Sequence, residues 1–237
     1  MKRSARGVTL LELLIAVTLL SLLSVAMFTA MRIGLSAFTK ADDKLMMNRR
    51  TAGAQRILQS QLEGLVPAMA LCGVGPDNGG APMPFFQGEA ATLRLVSTFS
   101  LQGGWRGRPQ ILEIFVIPGE QEGVRLVVNE IPYTGSLSAG RLCAVRDGLP
   151  QFLPVAASGT SFVLADKLAF CRFAYRGPAP DPNQPDIWTS VWKDKVLPMA
   201  VRIDMAPLET DASQVQATSI MAPIYLRRNP ETLYEDN

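Results

Sequence analysis

The sequence predicts an α+β protein: one long amino-terminal helix whose first half spans a membrane, packed through its second half on an antiparallel β-sheet domain. Three observations predict it. A charge-free apolar run occupies residues Leu13–Met31. A helix-favouring stretch continues from it as far as Pro67. Beyond that proline, segments with period-two alternation succeed one another. A single helix followed by a run of strands is the α+β pattern.

Composition narrows the chemistry. The 237 residues carry a formal net charge of +2 and include no histidine. Ser-His-Asp and Cys-His catalysis, His-ligated zinc and an imidazole proton shuttle are therefore excluded. The near-neutral charge argues against a nucleic-acid partner, which needs a basic stripe. The mean hydropathy of +0.15 is high for a soluble chain, and the excess is concentrated at the amino terminus.

The run Leu13–Met31 holds about 19 residues without a charge, Pro or Gly. A bilayer core of roughly 30 Å needs about 20 such residues as a helix. Thr18, Ser21, Ser24 and Thr29 are tolerable there because their hydroxyls can bond back to the preceding turn. The membrane-spanning part is expected over about residues 13–33. Lys2, Arg3 and Arg6 precede it without an acid, which holds that end in the cytoplasm and exports the chain beyond Arg32. A cleaved secretory signal would have a shorter apolar region and an A-x-A-like site. A plain signal anchor would gain nothing from Glu12, whose charge lies at the start of the apolar run.

Glu12 belongs to Gly7-Val8-Thr9-Leu10-Leu11-Glu12, behind a basic leader and ahead of the uninterrupted span. This arrangement resembles the class III signal of type IV pilins and pseudopilins. The resemblance implies that a prepilin peptidase cuts between Gly7 and Val8, so that residues 1–7 are a leader peptide, and methylates the new amine of Val8. Most members of that family begin the mature chain with Phe; Val8 stands there here. Glu12 matches the glutamate that pairs with a neighbouring subunit's amine during assembly. Gly7 lets an extended backbone enter a protease cleft closely, and a buried charge without its partner costs several kcal/mol, which selects axial register.

The helix is expected to run from Val8 to about Gly64–Pro67, within residues 8–66, and to be roughly 85 Å long at 1.5 Å per residue. Ile57, Leu58, Leu62 and Leu65 recur at helical spacing and mark an apolar face. Arg49, Arg50, Arg56 and Glu63 fall mostly outside it, and Pro67 is a stop signal. Gly34 and Gly53 are weak points in the helix.

Residues 67–237 read as an exported, strand-rich domain. Leu71–Gly88, with Gly interleaved among Pro76, Pro82 and Pro84, reads as an irregular loop. Strands are expected over Thr92–Phe99, Ile111–Ile117, Val124–Ile131, Leu168–Tyr175, Met199–Met205 and Ala217–Leu226. Leu93, Leu95 and Phe99 share one face, with Arg94 and Thr98 on the other, and Glu113 stands opposite Leu112, Ile114 and Val116. Arg172, Arg202 and Asp204 face outward. The loop Arg176–Asp186 is rich in Pro; Asp181, Asn183 and Asp186 lack an EF-hand's glycine and distal glutamate, and a turn-rich surface is the reading. Trp188 and Trp192 fit either an exposed contact patch or packing at a strand flank.

Trp105 lies in Gly103-Gly-Trp-Arg-Gly-Arg-Pro-Gln, where a hairpin turn folds an aromatic back on the core. That segment, and the Pro-Met-Ala-Val-Arg-Ile-Asp strand around Pro198–Asp204, also resemble the J class of minor pseudopilins of type II secretion systems. Cys72, Cys143 and Cys171 allow at most one internal disulfide and leave one thiol; the pairing, or all three thiols reduced, stays open.

The resemblance implies a structural subunit rather than an enzyme, with no cofactor and no metal. Its partners would be other minor pseudopilins in a tip complex, the major pseudopilin, the prepilin peptidase and inner-membrane lipid. It would lie in a bacterial inner membrane with a periplasmic domain, and then at the pseudopilus tip. A minor pilin of a type IV pilus shares these features. A signal-anchored periplasmic enzyme would need a carboxylate pair, and none stands out.

Overall fold

The computed structural model describes residues 9–75, 79–101, 106–120, 122–179, 181, 183–209 and 215–225. The fold is α+β. Helix α1 runs from Leu10 to Glu63 without a break at Gly34 or Gly53. The chain divides inside this helix into one unit ending at Met46 and a second beginning at Met47.

In the first unit the helix leaves its apolar side chains exposed, among them Leu14, Leu20, Leu23, Met27, Phe28 and Ile33. The small polar residues of the run bond back to their own helix. Thr18 donates to the Ile15 carbonyl at 2.8 Å, Ser21 to Thr18 at 2.8 Å, Ser24 to Leu20 at 2.8 Å and Thr29 to Val25 at 2.9 Å. No hydroxyl of the four asks for water, so each is compatible with a hydrocarbon surrounding. This is the one described helix long and apolar enough to cross a membrane.

The second unit begins with the last turns of α1 and continues as strands: β1 (Leu65–Val66), β2 (Met69–Cys72), β3 (Ala81–Pro84), β4 (Gln87–Gly88), β5 (Thr92–Phe99), β6 (Arg106–Pro118) and β7 (Val124–Pro132). A short helix α2 (Ser136–Gly140) precedes β8 (Cys143–Arg146), β9 (Leu149–Phe152), β10 (Phe162–Gly177), β11 (Ile187–Thr189), β12 (Ala200–Pro207) and β13 (Thr218–Pro223). The main sheet is antiparallel in the order β1-β5-β6-β7-β10-β12-β13, with β4 beside β5 and β11 beside β10. Separate two-stranded sheets are formed by β2 with β3 and by β8 with β9.

Alternation along the strands creates two faces. One face carries Leu93, Leu95, Leu112, Ile114, Leu126, Val128, Phe173, Val201, Ile203 and Ile220, and packs with Ala54, Leu58 and Leu62 of α1 in a single core. Fully burying a Leu- or Ile-sized side chain contributes about 1.5–3 kcal/mol. The opposite face is covered over β5–β7 by a small lobe made of β2–β3, α2 and β8–β9. There Val96, Ile111 and Ile131 meet Ala68, Ala70, Phe85, Ala139 and the cysteines of β2 and β8 in a second cluster.

The stretch Leu71–Gly88, expected to be a loop, instead holds the end of β2 and all of β3 from the lobe, and β4 of the main sheet. Strand β10 begins six residues before the expected Leu168, pairs with β7 through its first half and with β12 through its second, and shifts register between Val163 and Leu168. That irregularity breaks the alternation on which a sequence-based strand assignment depends.

Candidate membrane segment and polar sites of the domain

The start of α1 is set by Thr9. Its side-chain oxygen accepts the backbone N–H of Glu12 at 3.3 Å, and its carbonyl accepts the N–H of Leu13 at 3.2 Å. Thr9-Leu10-Leu11-Glu12 is thus the sequence form of a capping box, with Glu12 at the third helical position. Sequence reasoning singles out Glu12 for its charge and misses Thr9, although the T-x-x-E spacing signals the cap. Glu12 is exposed, in the first turn, where the helix dipole favours a carboxylate. Lys2, Arg3, Arg6, Gly7 and Val8 lie outside the described residues, as does Trp105.

In the second unit three polar residues on the outward side of β5–β7, Arg94, Glu113 and Asn129, prove to be buried. The lobe covers them. Arg94 is 1% exposed and Glu113 4%. The Arg94 Nε–H donates to Glu113 at 2.7 Å, and its Nη1–H to Gln87 at 2.9 Å. Asn129 donates to the other Glu113 oxygen at 2.8 Å and to the Ala156 carbonyl at 3.0 Å, and accepts from the Ser161 hydroxyl at 2.5 Å. Phe152 closes the site, its ring 5.4 Å from the Arg94 guanidinium. The network satisfies both charges and ties the segment after β9 to the sheet.

The disulfide is Cys72–Cys143, joining β2 to β8 across 71 residues, and Cys171 is the free, buried thiol. Burial, with the nearby Asp204 charge, pushes the Cys171 thiol up to about 12. Close packing of α2 under the disulfide depends on Gly140: a Cβ there would meet the Leu71 carbonyl oxygen at 1.9 Å.

Gln61, on the inner side of α1, is fully buried. Its amide N–H reaches Glu130 at 3.4 Å, whereas its Oε1 is the one buried side-chain polar atom without a partner among the described residues. Glu130 is otherwise held by the Ser100 hydroxyl at 2.9 Å and the Leu101 N–H at 2.6 Å.

Both tryptophans left open by the sequence have structural places. Trp192 lies over Gly88 and Gly177, where a Cβ would come within 2.8 Å and 2.7 Å of it, and donates to the Val196 carbonyl at 2.9 Å. Trp188 lies under the Arg202 guanidinium, 4.6 Å from the ring centre. In the Pro-rich loop, Asp186 is taken by Arg176 at 2.6 Å and the Asp181 carboxylate accepts the Asn183 N–H at 3.0 Å. Among the described residues no three Cys, Asp or Glu side chains gather as metal ligands.

Against this geometry, one family comparison is informative. The model described as the prokaryotic N-terminal methylation motif matches residues 2–28, the leader together with the capped start and most of the apolar run. The chain carries the signal of type IV pilin-like prepilins, which supports a place in the pilin and pseudopilin superfamily and a structural role. No curated protein and no solved structure matches the chain.

Proposed function

We propose that this chain is a minor pseudopilin of a type II secretion system, a subunit of the tip complex that primes pseudopilus assembly for export of folded proteins across an outer membrane. The observation that carries this reading is the methylation motif over residues 2–28, joined to a capped, membrane-grade helix that continues into a strand-rich domain. The size and strand content of the domain, and the β12 strand through Ala200–Asp204, support the J class of these subunits.

Each part has a physical task in this proposal. Lys2, Arg3 and Arg6 hold the leader at the cytoplasmic face. The prepilin peptidase cuts between Gly7 and Val8, leaving a methylated amine on Val8 at the edge of lipid. Glu12, fixed in the first turn by the Thr9 cap, is the counter-charge for the amine of a neighbouring subunit. The apolar helix is stored in the inner membrane and then enters the filament core. The domain stays on the periplasmic side and meets the other minor subunits.

Intact-mass analysis of the protein purified from its own host tests the reading. A chain beginning at methylated Val8 supports it, and a chain beginning at Met1 removes it. Co-purification with subunits of a secretion system supports the pseudopilin over a minor pilin of a type IV pilus; co-purification with pilus subunits reverses that choice.

A further inference from the structure

The lobe covers only half of the outer sheet face. Its second cluster takes sheet residues from β5, β6 and β7. The same face continues over β10, β12 and β13, where cross-strand register aligns Arg172 with Asp204 and Ser219, and Ala174 with Arg202 and Met221. Trp188 of β11 lies beside Arg176 on that face. Here Met221 is 56% exposed and Phe170 38%. Two guanidiniums lie on rings, Arg202 over Trp188 at 4.6 Å and Arg172 over Phe170 at 5.5 Å. Arginine, aromatic residues and methionine are the side chains enriched at the centres of protein interfaces.

The charges on this half are unequally satisfied. Arg176 has Asp186 at 2.6 Å, and Arg202 has Asp204 at 2.9 Å. Asp204 also accepts the Ser219 hydroxyl at 2.6 Å. Arg172 stands opposite Asp204 in the register, yet among the described residues its guanidinium makes only the contact with Phe170. The covered half shows what the same sheet face requires of an arginine once a layer lies over it. Arg94 also meets an aromatic ring, that of Phe152, and it is buried only together with the Glu113 carboxylate. Burying a guanidinium without such a partner costs several kcal/mol.

We propose that the open half of this face, centred on Phe170, Arg172, Trp188, Arg202 and Met221, is a docking surface for an acidic protein partner, a second pilin-like subunit that places an Asp or Glu on Arg172 and apolar side chains on Phe170 and Met221. The carboxylate is required by the unpaired charge. That the partner is a pilin-like subunit rests on the function proposed above. A bare anionic lipid surface fits less well, because Asp186 and Asp204 share the face.

Photo-crosslinking of the full-length chain in its own host tests this, with p-benzoylphenylalanine in place of Met221. The expected result is a discrete adduct to a second subunit with an amino-terminal methylation motif, through a peptide containing Asp or Glu. Arg172→Glu lowers the adduct about tenfold or more, as like charges brought together at an interface do. Arg172→Lys retains a substantial part of it. Reversing the partner's acidic residue to Lys restores it with Arg172→Glu. Formation of the Cys72–Cys143 bond on non-reducing gels shows that each variant has folded. An adduct indifferent to Arg172→Glu, an adduct to lipid alone, or no adduct overturns the docking surface. These failures are separable from that of the assembly reading, because the same sample's mass shows whether the chain begins at Val8; Arg172-dependent capture by an acidic protein on a chain that begins at Met1 overturns the pilin-like partner while sustaining the carboxylate contact.

Discussion

The side-chain oxygen of Thr9 accepts the backbone N–H of Glu12 at 3.3 Å, so the residue that begins the helix also fixes the position of its first carboxylate. The cap removes one orphan donor from the helix start and sets Glu12 in the turn where the dipole favours its charge. In the proposed assembly, Glu12→Ala leaves an intact apolar helix and an abundant membrane protein that enters filaments poorly. Quantitation of the variant in membrane and filament fractions checks this, and wild-type incorporation counts against it.

The disulfide ties β2 to β8 across 71 residues and closes a lobe whose strands and helix are only four or five residues long. Cys72→Ser or Cys143→Ser therefore lowers stability by about 2–4 kcal/mol. Thermal unfolding of the detergent-solubilised chain, with and without reductant, reads the loss, and early proteolysis should fall within residues 69–152. Cys171→Ser, outside the bridge, leaves the lobe's protease resistance unchanged.

Arg94 and Glu113 test the cost of breaking a covered ion pair. Glu113→Ala strands the guanidinium beside Phe152 and costs about 3–5 kcal/mol, whereas the double replacement Arg94→Met with Glu113→Leu recovers most of that. A double-mutant cycle by denaturant unfolding is the measurement.

Gln61 offers a gain. Its Oε1 is buried without a donor, and its amide contact with Glu130 is long at 3.4 Å. Gln61→Met keeps the volume and removes the orphaned acceptor, and should stabilise the domain by about 1 kcal/mol. A lowered melting temperature would contradict it.

Two groups give opposite pH limbs. Hydrogen bonds from Arg125 hold the Asp166 carboxyl below its usual range. Its contribution is present above the ordinary carboxylate value of about 3.9 and is lost as pH falls through the folded value. Asp166→Asn therefore flattens the acid limb of the stability profile. Cys171 acts at the other end. Its buried thiol stays neutral up to about 12, while an unfolded thiol ionises near about 8.5, so stability declines between those values as pH rises. At pH 8 iodoacetamide should modify Cys171 in the denatured chain and spare it in the folded one.

The sequence is informative wherever structure is local. A charge-free run and three- and four-residue spacings are enough for α1, and Thr92–Phe99 matches β5 at both ends. The bulged first half of β10 escapes because extra residues break a period of two. The lobe escapes because its strands are short and its restraint is not local: Cys72 and Cys143 meet across 71 residues.

The amino-terminal signal, the membrane-grade helix and the two faces of the regularly alternating strands are determined by the sequence alone, because each depends on residues that are neighbours along the chain. The layer over each face was decided only in three dimensions. Arg94 and Arg172 occupy similar places in an alternating strand, yet the lobe buries the first with Glu113 and leaves the second in the open. Alternation separates apolar from polar side chains; only the packing of distant segments decides whether a polar face meets water or a second layer.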